Sequence, residues 1–120
     1  MKILIAEDDE LMLKTLEFRL KKDNHQVIVA RDGREALQKI EEHLPDLVIS
    51  DIMMPYNSGL EIVSAIKEKF SMPIIILSAM GQEDVVLEAF KLGADDFLTK
   101  PFSPNELSIR IRRLSLGVSK

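Results

Sequence analysis

The chain has no cysteine, which excludes a disulfide framework, a thiolate metal site and a cysteine nucleophile, and suits a reducing compartment such as the cytoplasm. No low-complexity tract or internal repeat interrupts it. It also lacks a long hydrophobic run. The apolar stretch that opens it meets acids at Glu7, so residues 1–6 form neither a signal peptide nor a membrane span, and they read as a strand. Nor is there an excess of positive charge. A formal net charge of −4 gives this domain no electrostatic ground for direct contact with nucleic acid, whose phosphates attract a basic face. The locally basic stretch of Arg110, Arg112, Arg113 and Lys120 reads as a solvated helix face.

What is present is globular: 46% hydrophobic and 30% charged residues argue against disorder. The 120 residues leave room for one domain around one core. Short β-branched runs at 3–6, 26–30, 47–50, 73–78 and 96–99 predict five strands, most of them apolar on both faces as in a covered parallel sheet. Between them, apolar residues three and four apart predict helices: Leu11, Leu13, Leu16 and Leu20; Ala36, Leu37 and Ile40; Leu60, Ile62, Val63 and Ile66; Val85, Val86, Ala89 and Phe90; Leu107, Ile111 and Leu114. Gly93 reads as a helix C-cap, and Ser103, Pro104 and Glu106 as an N-cap, first-turn proline and capping-box acid. The expected fold is α/β, a (βα)5 doubly wound parallel sheet with right-handed crossovers. In such a sheet ligands gather at the carboxyl ends of the strands.

Those ends carry Glu7, Asp8 and Asp9 after the first strand, Asp51 after the third, Ser78 closing the fourth and Lys100 after the fifth. Carboxylates converging on one edge repel unless a cation or protons compensate them. A hard divalent ion answers this, and magnesium (Mg2+) tolerates a site of one or two carboxylates completed by water and phosphate oxygens. Asp51 can attack phosphorus as a nucleophile. Lys100 can neutralise phosphoryl oxygens, and Ser78 can bond one only after the group arrives. Taken singly, Asp9 reads as a helix cap, Asp51 as a turn residue, Ser78 as a cap and Lys100 as an exposed charge. Four strand ends bearing the required groups together favour the chemistry.

These residues resemble the receiver domains of bacterial two-component response regulators along nearly the whole chain. The resemblance rests on Glu7, Asp8 and Asp9; on Asp51, Ile52, Met53, Met54 and Pro55 with Gly59 and Leu60; on Ser78 and Ala79; and on Gly93, Ala94, Asp95, Asp96 and Phe97 running into Lys100, Pro101 and Phe102. It implies a flavodoxin/CheY-like sheet in strand order 2-1-3-4-5. Asp51 would accept a phosphoryl group from a sensor histidine kinase or phosphotransfer protein. Magnesium would be held by Asp8, Asp51 and the Met53 backbone carbonyl, with Glu7 acting through water. Ser78 and Lys100 would engage the phosphoryl group, the Lys100–Pro101 bond would be cis, and Phe97 would turn inward with Ser78 as the switch. The output would be a shift of the face formed by the fourth helix, fifth strand and fifth helix toward an unknown effector domain or target protein, transcription being one possible output.

Two family positions that govern access of water to the acyl phosphate are Met53 and Met80, whose apolar side chains cannot orient an attacking water; slow self-dephosphorylation is expected. Asp95, Asp96 and Arg110 resemble the winged-helix (OmpR/PhoB-like) subfamily, whose receivers dimerise through ion pairs. Val86 and Gly117 stand where that pattern has basic residues, so a monomer or a weak dimer on activation is expected.

A haloacid-dehalogenase-type phosphohydrolase would share the nucleophilic aspartate, hydroxyl and lysine, but its nucleophile follows the first strand in an Asp, any, Asp pattern, whereas here the run is Glu7, Asp8, Asp9. A nucleotide- or flavin-binding module would place a glycine-rich loop where these acids stand. A pseudo-receiver, binding partners without phosphorylation, would have lost Asp51, Ser78 or Lys100, and all three are present. Such a domain serves equally as a stand-alone regulator or as the front of a longer protein. No membrane partner is expected.

Overall fold

The computed structural model of the chain describes residues 1–56 and 58–118, the last two of these through their backbone only. Lys120 lies outside the described residues, and Gly117 is described only as part of a helix backbone. Elements alternate without exception: β1 Lys2–Ala6, α1 Glu10–Lys22, β2 Gln26–Ala30, α2 Gly33–His43, β3 Leu47–Asp51, α3 Gly59–Lys69, β4 Ile74–Ser78, α4 Glu83–Leu92, β5 Asp96–Thr99 and α5 Pro104–Val118. All strand pairs are parallel, in the order β2-β1-β3-β4-β5, so every carboxyl end lies along one edge.

Strand side chains alternate between two core layers, one on each face of the sheet, where a single core was expected, because a sheet covered by helices on both sides separates its apolar residues. Leu4, Val48, Ile74 and Ile76 face α2, α3 and α4, meeting Ala36, Ile40, Ile62, Val63, Ile66, Val86 and Ala89. Ile3, Ile5, Leu47, Ile49, Ile75 and Leu77 face α1 and α5, meeting Leu13, Leu16, Leu20, Leu107 and Ile111. Burial on both faces explains why β3 and β4 read as unbroken apolar runs.

Local signals act where expected. Gly93 ends α4 in the left-handed region at φ 114°, its N–H donating to the Ala89 and Phe90 carbonyls. Ser103 Oγ accepts the Glu106 N–H at 3.1 Å, and Asp9 Oδ1 caps α1 through the Met12 N–H at 3.1 Å. Three expectations need correction. Leu11 is 78% exposed: it lies two residues from Leu13, about 200° around a helix, and cannot share the face of Leu13, Leu16 and Leu20. Pro73 precedes β4 rather than opening it, contributing only its carbonyl to the Val48 N–H at 3.0 Å. Asp51, placed after the third strand, is instead its last residue.

Candidate functional site

Register brings the acids together. Ala6 pairs with Ser50 and Asp51 with Leu77, so Glu7, one step beyond β1, stands beside Asp51. Ser78 pairs with Thr99, and the Lys100 N–H donates to the Ser78 carbonyl at 2.7 Å, setting the lysine at the same edge. The Lys100–Pro101 peptide is cis, as the resemblance implies. Lys100 Nζ donates to Asp51 Oδ2 at 2.6 Å and to Glu7 Oε1 at 2.7 Å, bridging the two carboxylates. Asp51 Oδ1 accepts the Met53 N–H at 3.0 Å, and Glu7 Oε2 accepts the Asp9 N–H at 3.2 Å.

Glu7 is fully buried and Asp51 nearly so, whereas Asp8 is exposed at the mouth. Burial raises the Glu7 carboxyl from its ordinary 4.5 to about 7; the hydrogen bond and charge of Asp51 add to the rise, and Lys100 and the Asp9 N–H only partly offset it. For Lys100, burial acts downward, but the carboxylates of Asp51 and Glu7 outweigh it and the net displacement is upward. The edge is thus short of positive charge, with one lysine serving two acids. Glu7, Asp8 and Asp51 each offer an oxygen, all within 4.8 Å of one another. Clustered hard oxygen donors, partly open to solvent, fit magnesium.

Ser78 is buried at the end of β4 and caps no helix; α4 begins after Gln82, whose Oε1 accepts the Ala79 N–H at 2.7 Å. Ser78 lines a cavity of about 250 Å³ between α4 and β5 with Val86, Leu87, Phe90, Phe97 and Thr99. Phe97 is half-buried and meets Phe90 edge-to-face at 5.6 Å between centroids. Met53 and Met80 are both exposed to solvent.

Asp96 and Arg110 pair within the chain at 2.6 Å, and Arg113 binds the other Asp96 oxygen at 2.5 Å. Asp95 turns instead toward α3, accepting from Lys67 at 3.2 Å and from the Ile74 N–H at 2.9 Å. Arg113 escaped the sequence reading as a partner, although its position three residues after Arg110 places both on one helix face. The contact of Arg34 with Tyr56 carried no sequence signal at all.

Among curated proteins, the chain is 39% identical over 114 residues to the alkaline phosphatase synthesis transcriptional regulatory protein PhoP of Bacillus subtilis (strain 168), covering 94% of this chain and 48% of that protein. The chain therefore spans about half the length of that relative. Among solved structures, the Francisella response regulator 1452 receiver domain superposes with a TM-score of 0.87 at 38% identity, covering 94% of each chain. The signal receiver domain of a signal transduction histidine kinase from Syntrophus aciditrophicus superposes at 0.91 with 33% identity, covering 99% of this chain and 92% of that one. The family model for the response regulator receiver domain matches residues 3–112. With fold and family model in agreement, the chain belongs to the response regulator receiver domains, the signalling modules that work in two-component phosphorelay.

Proposed function

We propose that Asp51 is the phosphoryl acceptor and that Glu7, Asp8, Asp51 and the Met53 carbonyl hold magnesium, Glu7 through water. The observation that carries this reading is the bridging of Asp51 and Glu7 by Lys100 within 2.7 Å, beside a third acid at the mouth. An Asp51 oxygen attacks phosphorus of a phosphohistidine on a sensor kinase or phosphotransfer protein; the P–N bond breaks and its electron pair leaves with the imidazole. When held by these residues, magnesium would supply positive charge to the phosphoryl oxygens during transfer. Lys100 exchanges its carboxylate contacts for a phosphoryl oxygen, and the Ser78 hydroxyl donates to another. The chain assists its own phosphorylation and dephosphorylation without turning over a substrate.

Contacts made only after phosphorylation draw Ser78 inward, and Phe97 follows into the adjoining cavity, biasing the surface of α4, β5 and α5. That surface addresses an effector domain or target protein; the PhoP relative, a transcriptional regulatory protein by name, makes transcription the favoured output. Both Asp96 oxygens already bind arginines of the same chain, which supports a monomer or a weak, activation-dependent dimer. Among the described residues no helix is long and apolar enough to cross a membrane; membership of the receiver family supports a cytoplasmic location. Met53 and Met80 favour a long-lived acyl phosphate; Met53→Asn with Met80→Glu should shorten it, and an unchanged lifetime would refute their role.

Incubation with magnesium and acetyl phosphate, followed by intact mass, tests the centre. One phosphoryl group on the wild type, none on Asp51→Asn and none with chelator is the expected result. No gain together with no magnesium binding would sink the reading and leave a phosphorylation-independent binding module.

A further inference from the structure

Asp51 is followed by a turn, residues 52–56, whose two ends are held differently. The near end belongs to the sheet: the Ile52 N–H donates to the Leu77 carbonyl at 2.9 Å and the Met53 N–H to Asp51 Oδ1 at 3.0 Å. The far end reaches solvent, where Tyr56 is exposed yet holds φ at 68°, a left-handed conformation that aromatic residues seldom adopt. Two contacts from the start of α2 hold it there. The Gly33 N–H, a first-turn donor with no partner inside its helix, donates to the Pro55 carbonyl at 3.3 Å. The Arg34 guanidinium lies 4.2 Å above the centroid of the Tyr56 ring, within cation–π range.

The same corner grips the other acidic loop. The Ala30 carbonyl accepts the Glu7 N–H at 3.0 Å. The Arg31 guanidinium takes both oxygens of Glu10 at 2.8 and 2.9 Å, just beyond Asp8 and Asp9. Residues 30–34 thus touch both acid-bearing loops while contributing no group to the phosphoacceptor site. We infer that the β2–α2 corner is a brace that sets the spacing of these loops, with Arg34 and Tyr56 as positioning residues for the Asp51 carboxylate. They act through Met53: a loosened turn frees the N–H that orients Asp51 Oδ1, and the carboxylate then spends less time aligned for attack. Only this last consequence rests on the proposed phosphoacceptor role.

Two measurements keep brace and function apart. Amide hydrogen exchange of Met53 reads the brace with no phosphoryl group present, and the rate of phosphorylation by acetyl phosphate at saturating magnesium reads its consequence. Arg34→Ala and Tyr56→Ala should each speed Met53 exchange roughly two- to fivefold, the factor expected for one exposed cation–π contact, and slow phosphorylation by a similar factor. The amides of β4 should keep their protection, which a general loss of stability would not allow, and Tyr56→Phe, which keeps the ring, should match the wild type. Unchanged Met53 exchange in both alanine variants overturns the brace whatever the phosphorylation result. Faster exchange in a protein whose wild type neither binds magnesium nor accepts a phosphoryl group upholds the brace and removes the phosphoacceptor reading instead.

Discussion

Glu7→Gln isolates the electrostatic strain of the acidic edge. The wild-type carboxyl is buried and displaced from 4.5 to about 7. Between those values the folded chain holds a proton at Glu7 that the unfolded chain releases, so stability of the magnesium-free protein falls as pH rises through this window. Below 4.5 both states are protonated and the penalty vanishes; above 7 both are ionised and it is complete, at about 3 kcal/mol. A neutral amide of the same shape carries no such penalty. Urea unfolding in chelator should therefore find Glu7→Gln more stable than wild type by up to about 3 kcal/mol at pH 8 and nearly equal to it at pH 4.5. Magnesium should reverse the ranking at pH 8, because a cation that binds only the folded state gains most where the charge is intact. Wild-type and variant stabilities that stay parallel from pH 4.5 to 8 would refute the assignment of a buried, strained carboxyl.

Lys100→Met removes the cation that Asp51 and Glu7 share and should cost about 2 kcal/mol in chelator at pH 7.5 by thermal unfolding, below the usual figure for a broken buried pair because Lys100 is partly exposed. Gly59→Ala places a methyl 2.6 Å from Ile52 Cα and 2.7 Å from the Asp51 carbonyl oxygen; denaturant unfolding should show a loss of about 1–3 kcal/mol, and equal stability would mean that β3 and α3 can separate freely. Ser58→Ala removes one half of the α3 capping box and should cost about 1 kcal/mol.

Much of this architecture is legible because its causes are local. Helical spacing in Leu13, Leu16 and Leu20 and continuous apolar runs in β3 and β4 identify elements without knowledge of their neighbours. Once all strands are parallel, residues at or just past each strand's carboxyl end must share one edge, so Glu7, Asp51, Ser78 and Lys100 are grouped by topology alone. Leu11 failed because a leucine signals apolarity and not direction.

Other features depend on distances across the fold. That Lys100 bridges Glu7 and Asp51, 93 and 49 residues away, follows from strand register. Asp96 stands beside Arg110 and Arg113 because α5 packs back along β5, while its neighbour Asp95 turns to Lys67 on α3. The Arg34–Tyr56 stack joins two exposed residues that no periodicity marks. Sequence by itself determined the order and type of the elements and the kind of group at each strand end, since backbone periodicity and turn chemistry are read within a few residues. Tertiary structure alone decided which charges meet, how deeply they are buried and hence that the Glu7 carboxyl is pushed well above its ordinary range, because desolvation and Coulomb energy depend on separation in space rather than along the chain.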